Sequence, residues 1–227
     1  MNEQAYKNLV QELNPKQVTL VAVSKTKSIE DIKQLYDLGQ KDFGENYVQE
    51  LVEKERGLPK DIRWHFIGHL QSNKIKQIAP FIHLIQSVDS LKLLKEINKQ
   101  AEKNGRVIDC LLQMHIAQEE TKFGLDEEEL NLAISQFDNL KMENVRIVGL
   151  MGMASLTDDM EKVRTEFRKL KSVYEKLNAQ YSPDSYREFN VQCSTLSMGM
   201  TSDYEIAIEE GSNMVRIGSL IFGERNQ

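Results

Sequence analysis

A lysine stands at the end of a short apolar run near the start of the chain. Residues 18–23 are apolar or β-branched, and Ser24 and Lys25 follow them. Such a run is typical of a strand buried on both faces. Because side chains alternate along a strand, Lys25 shares one face with Val21 and Val23. Partial desolvation there would lower the pKa of the amine, and we therefore predict that Lys25 attacks a carbonyl and forms a Schiff base.

A structural role for the same lysine is the alternative. In that interpretation the apolar stem of Lys25 packs on the protein and its ammonium group reaches water. On this run alone the structural role is favoured, because lysines are rarely buried.

Two turns of small and polar residues follow the last two predicted strands. They are Cys193–Gly199 and Gly218-Ser219. In a barrel, turns at these places often bind a phosphate group through backbone N–H groups and hydroxyls. The alternative is ordinary turn chemistry, since serine and glycine occur in any loop. Together with Lys25, the two turns suggest a phosphorylated carbonyl compound that is held at both ends.

Eight apolar runs alternate with amphipathic segments along the whole chain. The predicted strands are 18–25, 42–46, 63–68, 81–85, 107–116, 145–150, 188–192 and 214–217. The predicted helices are 2–13, 28–38, 48–56, 75–79, 91–104, a segment that begins at Asp126, 160–181 and 203–210. Strands that alternate with helices indicate an α/β protein with a parallel sheet.

Eight such units close most naturally into a (β/α)8 TIM-like barrel. We predict a single domain over residues 1–227, with an extra N-terminal helix before the first strand. The alternative is an open doubly wound sheet. That fold would favour a glycine-rich turn after the first strand, and Ser24–Lys27 contains no glycine.

Composition excludes several classes of partner. The net charge is -6 in 227 residues, which argues against a nucleic-acid-binding surface. No apolar segment is long enough to span a bilayer, and the N-terminus lacks the pattern of a signal peptide. Cys110 and Cys193 are far apart in sequence and indicate no disulfide framework. We expect a cytoplasmic protein with no membrane or nucleic-acid partner.

One pair of histidines has a spacing that occurs in zinc sites. His65 and His69 are four residues apart, but Phe66 stands where a metalloprotease has its glutamate. The pair also falls across a strand and a loop rather than on a helix. We therefore predict no metal site from the sequence.

Five segments of the chain carry a distinctive combination of residues, namely Val23–Lys27, Phe43–Tyr47, Trp64–Lys74, Leu196–Met200 and Val215–Gly218. Together they resemble the signatures of one known family, the pyridoxal phosphate homeostasis proteins. The match extends in order over nearly the whole chain. The resemblance implies a monomeric single-domain barrel similar to the barrel domain of alanine racemase.

The resemblance also implies a cofactor site. Lys25 would carry pyridoxal 5'-phosphate (PLP) as an internal aldimine. Ser194 or Thr195 would hold the phosphate together with two backbone amides after the eighth strand. Arg216 would face the pyridine nitrogen or the phosphate. The full set that the resemblance assigns to the cofactor is Lys25, Asn46, Ser194, Thr195, Arg216, Gly218 and Ser219.

Arg216 bears on whether such a site catalyses a reaction. An arginine is always protonated, so it donates a hydrogen bond to the ring nitrogen without protonating it, and the ring is then a poorer electron sink. Racemisation also requires a second base, which in the racemases is a tyrosine from an additional domain. Only residues 218–227 follow the eighth predicted strand. We therefore predict a non-catalytic carrier of PLP in vitamin B6 homeostasis, with PLP-dependent apo-enzymes as candidate partners.

Two enzymatic alternatives stay open at this point. The first is a PLP-dependent amino-acid racemase or lyase, in which Tyr47 or Tyr204 acts as the base. The second is a cofactor-free aldolase that uses Lys25 directly and is therefore colourless.

Overall fold

A computed structural model describes residues 1–117, 119, 123–181 and 191–223 of the chain. Eight parallel strands form a closed barrel in which each strand pairs with the next and β8 pairs with β1. The strands are β1 Thr19–Val23, β2 Asp42–Glu45, β3 Arg63–Phe66, β4 Leu84–Val88, β5 Ile108–Met114, β6 Val145–Gly152, β7 Val191–Ser197 and β8 Met214–Ile217. The predicted α/β barrel is confirmed.

Helices follow the strands around the outside of the barrel. They are α1 Glu3–Leu13, α2 Ile29–Asp37, α3 Val48–Gly57, α4 Ile75–Ile78, α5 Leu91–Lys103, α6 Glu127–Asn139, α7 Met160–Gln180, α8 Tyr204–Glu209 and α9 Ser219–Phe222. The extra N-terminal helix is α1, and the backbone N–H of Asn2 before it donates to Ile221 O in α9 at 2.7 Å. None of the helices in the described ranges is long and apolar enough to cross a membrane.

The apolar core has two parts because the strands are buried on both faces. The larger part lies between the barrel and the helices, and Leu20 and Ala22 of β1 belong to it. The smaller part fills the inside of the barrel and consists of Val21, Leu84, Leu111, Met151 and Met214. The alternation predicted for the first strand is therefore confirmed, and Val21 points into the barrel.

Two predicted strands were misplaced. The prediction put the fourth strand at 81–85, whereas β4 begins at Leu84. Phe81 and Ile82 instead donate their backbone N–H groups to Ile78 O and so continue the end of α4. The prediction put the seventh strand at 188–192, of which 188–190 lie outside the described residues. β7 begins at Val191 and continues through the small polar residues to Ser197.

The sixth strand also continues two residues beyond its predicted end, and one glycine makes its path possible. The pairing register between β6 and β7 shifts between Ile147 and Gly149. Gly149 has a φ of +152°, and a Cβ atom there would lie 1.7 Å from Thr195 O. A side chain at this position would therefore push β6 and β7 apart.

Candidate functional site

The turn that carries Lys25 lies at the carboxyl end of β1. The backbone N–H of Ser24 donates to Gly44 O of β2 at 3.0 Å, and the N–H of Lys27 donates to Ser24 O at 3.0 Å. Between them Thr26 has a φ of +65°. This closed turn places Lys25 in the wall of a cavity of about 470 Å³, which also contacts Arg216 and Gly218.

A second lysine, Lys54, is almost fully buried and hydrogen-bonds to this turn. The Lys54 ammonium group donates to Ser24 O at 2.7 Å, to Glu45 Oε1 at 2.8 Å and to Glu50 Oε1 at 2.6 Å. Glu50 also accepts the backbone N–H of Thr26. Both sides of the Lys25 turn are thus tied to one buried ion cluster on β2 and α3.

Glu45 lies at the centre of this cluster and is completely buried. Its Oε1 atom accepts the Ser24 hydroxyl at 2.6 Å, and its Oε2 atom has no hydrogen-bond partner among the described residues. Burial raises the pKa of Glu45, and the charge of Lys54 opposes that change. Lys54 therefore favours the ionised form of this buried carboxyl group, against the larger effect of burial.

Arg216 is a buried cation inside the barrel, on β8. Its guanidinium group donates to Ser197 Oγ at 2.6 Å and to Gly152 O at 3.0 Å. No carboxylate lies within ion-pair distance of it in the part of the chain that the structure describes. Burial lowers the pKa of Arg216 to about 10, so the group is still charged at neutral pH. A buried cation without an ion pair is costly, which suits a site that receives an anion or an aromatic nitrogen acceptor.

A chain of hydrogen bonds runs from Arg216 through the barrel. Ser197 Oγ donates to Gln86 Oε1 at 2.7 Å, and Gln86 Nε2 lies 3.0 Å from His65 Nδ1. His65 Nε2 in turn lies 3.0 Å from Asp42 Oδ1. Arginine can only donate hydrogen bonds, and this fixes the donor and the acceptor of each hydrogen bond in the series. His65 therefore accepts a hydrogen bond at Nδ1 and donates one at Nε2.

Residues that carry hydroxyl groups line the same cavity as Lys25. Thr201, Ser202 and Ser219 contribute hydroxyls to it. Gly218 precedes the short helix α9, whose first N–H groups have no partner within the helix. A Cβ atom on Gly218 would lie 3.2 Å from Val23 O, so glycine lets the end of β8 pack closely against the end of β1.

Ser194 and Thr195 do not lie with these groups, which corrects their predicted placement. Both residues belong to β7 and contact a second cavity of about 410 Å³ at the amino end of the barrel. The difference arises because β7 is longer than predicted. The sequence predicts a loop after residue 192, whereas β7 continues for five more residues to Ser197. Thr201 and Ser202, which were not among the predicted site residues, line the cavity that Lys25 contacts.

The other predicted site residues lie at the carboxyl end. Lys25, Arg216, Gly218 and Ser219 contact the same 470 Å³ cavity. Asn46 follows β2 at that end but is not among the described residues that line the cavity. Its Oδ1 atom is buried and has no hydrogen-bond partner among the residues described.

The fold and this site define the class of the protein. The family described as "Alanine racemase, N-terminal domain" matches residues 3–226 of the chain. Alanine racemase of Clostridium difficile 630 shares the fold with a TM-score of 0.76 at 14% identity, over 99% of this chain and 60% of the racemase.

Curated relatives narrow the class. A protein of Aquifex aeolicus (strain VF5) is 42% identical over 207 residues, which are 91% of this chain and 86% of the relative. A human protein is 37% identical over 236 residues, which are 99% of this chain and 82% of the relative. Both are named pyridoxal phosphate homeostasis protein. The chain belongs to the family of pyridoxal phosphate homeostasis proteins.

A solved structure at higher identity covers the whole barrel. PipY of Synechococcus elongatus PCC7942, determined with PLP bound, is 32% identical to this chain. The TM-score is 0.86, and the match covers 97% of this chain and 99% of PipY.

Proposed function

We propose that this protein binds PLP reversibly through the amine of Lys25 and so takes part in intracellular PLP (vitamin B6) homeostasis. One observation carries the proposal. Lys25 contacts a cavity of about 470 Å³ together with Arg216, a buried arginine for which the described residues provide no ion pair. The PLP bound to PipY and the names of the curated relatives support it.

Each group of the cavity has a role in this proposal. PLP supplies an aldehyde and a phosphate dianion when it is bound. The Lys25 turn, held by the Lys54 cluster, presents the amine to the aldehyde. Arg216 donates toward the pyridine nitrogen or the phosphate. The groups that bind the phosphate are the hydroxyls and amides of the other residues that line this cavity, namely Thr201, Ser202, Gly218 and Ser219. Asn46 is a weaker neighbour, and its unpartnered Oδ1 atom requires a donor.

The same cavity supports a carrier rather than a racemase or lyase. No tyrosine, histidine, cysteine or carboxylate is among the described residues that line it. The hydroxyl of Tyr204 lies 3.1 Å from Glu12 Oε2, and burial together with Glu12 and Glu205 raises its pKa to about 12. Tyr47 is largely exposed and lies outside the cavity lining. A second base beside the cofactor is therefore missing from the described lining.

The proposal includes further features that the family resemblance supports. The protein is a cytoplasmic monomer of one domain, residues 1–227, and it passes PLP to PLP-dependent apo-enzymes. Neither a membrane nor a nucleic acid is a partner.

The test is reduction of the PLP-loaded protein with borohydride, followed by peptide mapping. We expect a yellow protein whose cofactor is fixed on Lys25 and a Lys25→Ala variant that fixes none. Lys27→Ala is the matched control, because Lys27 contacts the same cavity, and it should fix PLP like the unchanged protein. A chain that takes up no PLP, or that fixes it equally well without Lys25, contradicts the proposal.

Catalysis is tested on the same sample. The PLP-loaded protein is incubated with single amino acids, and product enantiomers and cleavage products are measured by chiral chromatography. We expect no turnover above that of free PLP. Turnover that disappears in Tyr47→Phe or Tyr204→Phe would establish the racemase or lyase alternative instead.

A further inference from the structure

The amino end of the barrel brings together three side chains that can ligate a metal. Asp42, His65 and His83 each offer one ligand atom, and these atoms all lie within 4.8 Å of one another. They come from the start of β2, from β3 and from the residue before β4. All three contact the 410 Å³ cavity, which lies at the opposite end of the barrel from Lys25.

Two of these side chains are buried and already oriented. Asp42 Oδ1 lies 3.0 Å from His65 Nε2 and 2.7 Å from Arg63 Nε, and a second N–H of Arg63 donates to Oδ2. His65 is only 1% exposed, and Gln86 Nε2 lies 3.0 Å from its other ring nitrogen. The carboxylate is thus held in place by Arg63, which also lines the cavity, and the first imidazole by Gln86, which does not.

His83 completes the set from the open side. Its ring lies 5.5 Å from the ring of His65, and in the described ranges neither of its ring nitrogens makes a hydrogen bond within the protein. The side chain is exposed to the cavity. A histidine with free ring nitrogens beside a second histidine and a carboxylate is the donor set that zinc prefers when sulfur is absent.

We propose that Asp42, His65 and His83 form a binding site for a divalent cation, with Zn²⁺ as the ion that this donor set favours. The remaining coordination positions face the 410 Å³ cavity and take water or a small anion. Arg63 stays on Asp42 and Gln86 stays on His65, where they orient the ligands as outer partners commonly do.

Coordination requires one proton to move, with no net release from the protein. His65 must present the lone pair of Nε2 to the ion, so its proton resides on Nδ1 instead. The Gln86 side-chain amide then rotates and its oxygen accepts that proton in a hydrogen bond. Because Ser197 connects Gln86 to Arg216, occupancy at the amino end reorders the hydrogen bonds that reach the carboxyl end.

The sequence predicts no metal site, because its spacing pairs His65 with His69. In the structure these two histidines lie at opposite ends of the barrel. His69 lies at the other end, where its ring stacks on Phe123 and its Nδ1 atom is 3.2 Å from Asp89 Oδ2. The partner of His65 is His83, which is distant in sequence and becomes its neighbour only because β3 and β4 pair.

The test is a calorimetric titration of the chelator-treated full chain with Zn²⁺ alone, with Co²⁺ as a spectroscopic probe. We expect one saturable site per chain and visible d–d bands of a nitrogen- and oxygen-ligated Co²⁺. In His83→Ala the affinity should fall by more than about 100-fold, beyond the loss seen for outer-shell partners. His69→Ala, which removes an exposed histidine beside a carboxylate at the other end, should bind like the unchanged protein.

Three outcomes would overturn this inference. They are a chain without saturable binding, a His83→Ala variant with unchanged affinity, and a loss in His69→Ala as large as in His83→Ala. Thermal melts of both variants show that each is folded before it is titrated. If His83→Ala melts early, His83→Gln replaces it with the same expected loss. The titration requires neither PLP nor Lys25, so its outcome is independent of the proposed function.

Discussion

The two ends of the barrel treat charge differently. At the carboxyl end Arg216 is buried and has no carboxylate within ion-pair distance in the described part of the chain. At the amino end Arg63 pairs with Asp42 and Arg146 pairs with Asp109, each through two hydrogen bonds. The amino end is therefore neutralised by the protein itself. At the carboxyl end the described hydrogen bonds of Arg216 go to uncharged groups, Ser197 Oγ and Gly152 O, and Asp203 acts on it through a Coulombic attraction.

The two ends also differ in how exposed their paired lysine and arginine side chains are to solvent. Lys54 below the Lys25 turn is 5% exposed at its side chain, whereas Arg63 and Arg146 are 48% and 47% exposed. Water screens the two arginine pairs but not the lysine cluster. Substitutions at the two ends should therefore have effects of different size.

The largest effect is expected at Lys54. In Lys54→Met, Glu45 is left buried without a counter-charge, and we expect a loss of about 3–5 kcal/mol in the free energy of unfolding. Urea denaturation measures it. Lys60→Met is the control, because the side chain of Lys60 is 66% exposed, and it should lose less than about 1 kcal/mol. Equal losses in the two variants would contradict the buried cluster.

Arg216 should determine cofactor affinity. In Arg216→Met the charged hydrogen bond to PLP is lost, and we expect an increase in Kd of about 10- to 100-fold, from about 1.5–3 kcal/mol per such bond. Absorbance titration with PLP measures it. Arg146→Met at the amino end should leave the Kd unchanged. A similar loss in both variants would mean that the cofactor responds to overall charge and not to the carboxyl end.

Substitutions of hydroxyl residues at the two ends distinguish the phosphate site predicted from the sequence, at Ser194 and Thr195, from the site proposed at Thr201 and Ser202. Thr201→Ala should weaken PLP binding by about 0.5–1.5 kcal/mol, the usual contribution of one hydrogen bond. The double variant Ser194→Ala and Thr195→Ala should bind PLP normally. The same absorbance titration measures both variants. Weaker binding in the double variant and normal binding in Thr201→Ala would instead support the phosphate site predicted from the sequence.

The smallest effect concerns Cys193, which tests the register of β7. Burial raises the pKa of the Cys193 thiol to about 12, so almost no thiolate is present at neutral pH. Alkylation of the native protein followed by mass spectrometry should leave Cys193 unmodified, whereas urea should expose it. Rapid native modification would mean that Cys193 faces solvent and that Ser194 does not face the barrel interior.

The sequence predicted the position of a strand well where the strand buries apolar side chains and poorly where it buries polar ones. The strand before Lys25 and the strand that carries Arg216 are largely apolar runs, and periodicity located both, although β1 ends at Val23 and Lys25 lies in the turn after it. β4 and β7 contain Gln86 and Ser197, which are polar but fully buried inside the barrel. Because polar residues usually indicate loops, periodicity misplaced these two strands and, with β7, the positions of Ser194 and Thr195.

The Lys54 cluster was missed for a related reason. Lys54 lies on an amphipathic helix that begins at Val48, and its sequence position suggests a solvated charge. Its burial results from the packing of α3 against the turn after β1 and against Glu45 of β2. These contacts join residues that are distant in sequence, so the pattern of residues around Lys54 does not predict them. Lys25, Arg216 and Gly218, by contrast, lie within the five segments of the family resemblance, and Ser219 directly follows the last of them.

The central claim is that the carboxyl end, and not the amino end, receives PLP. Hydrogen exchange of the backbone amides, measured by mass spectrometry with and without PLP, tests it most directly. The account predicts slower exchange on PLP addition in the Lys25 turn, in residues 200–202 and in Ser219–Phe222, and unchanged exchange at Ser194 and Thr195. Slower exchange confined to Ser194, Thr195 and the amino ends of the strands would contradict it.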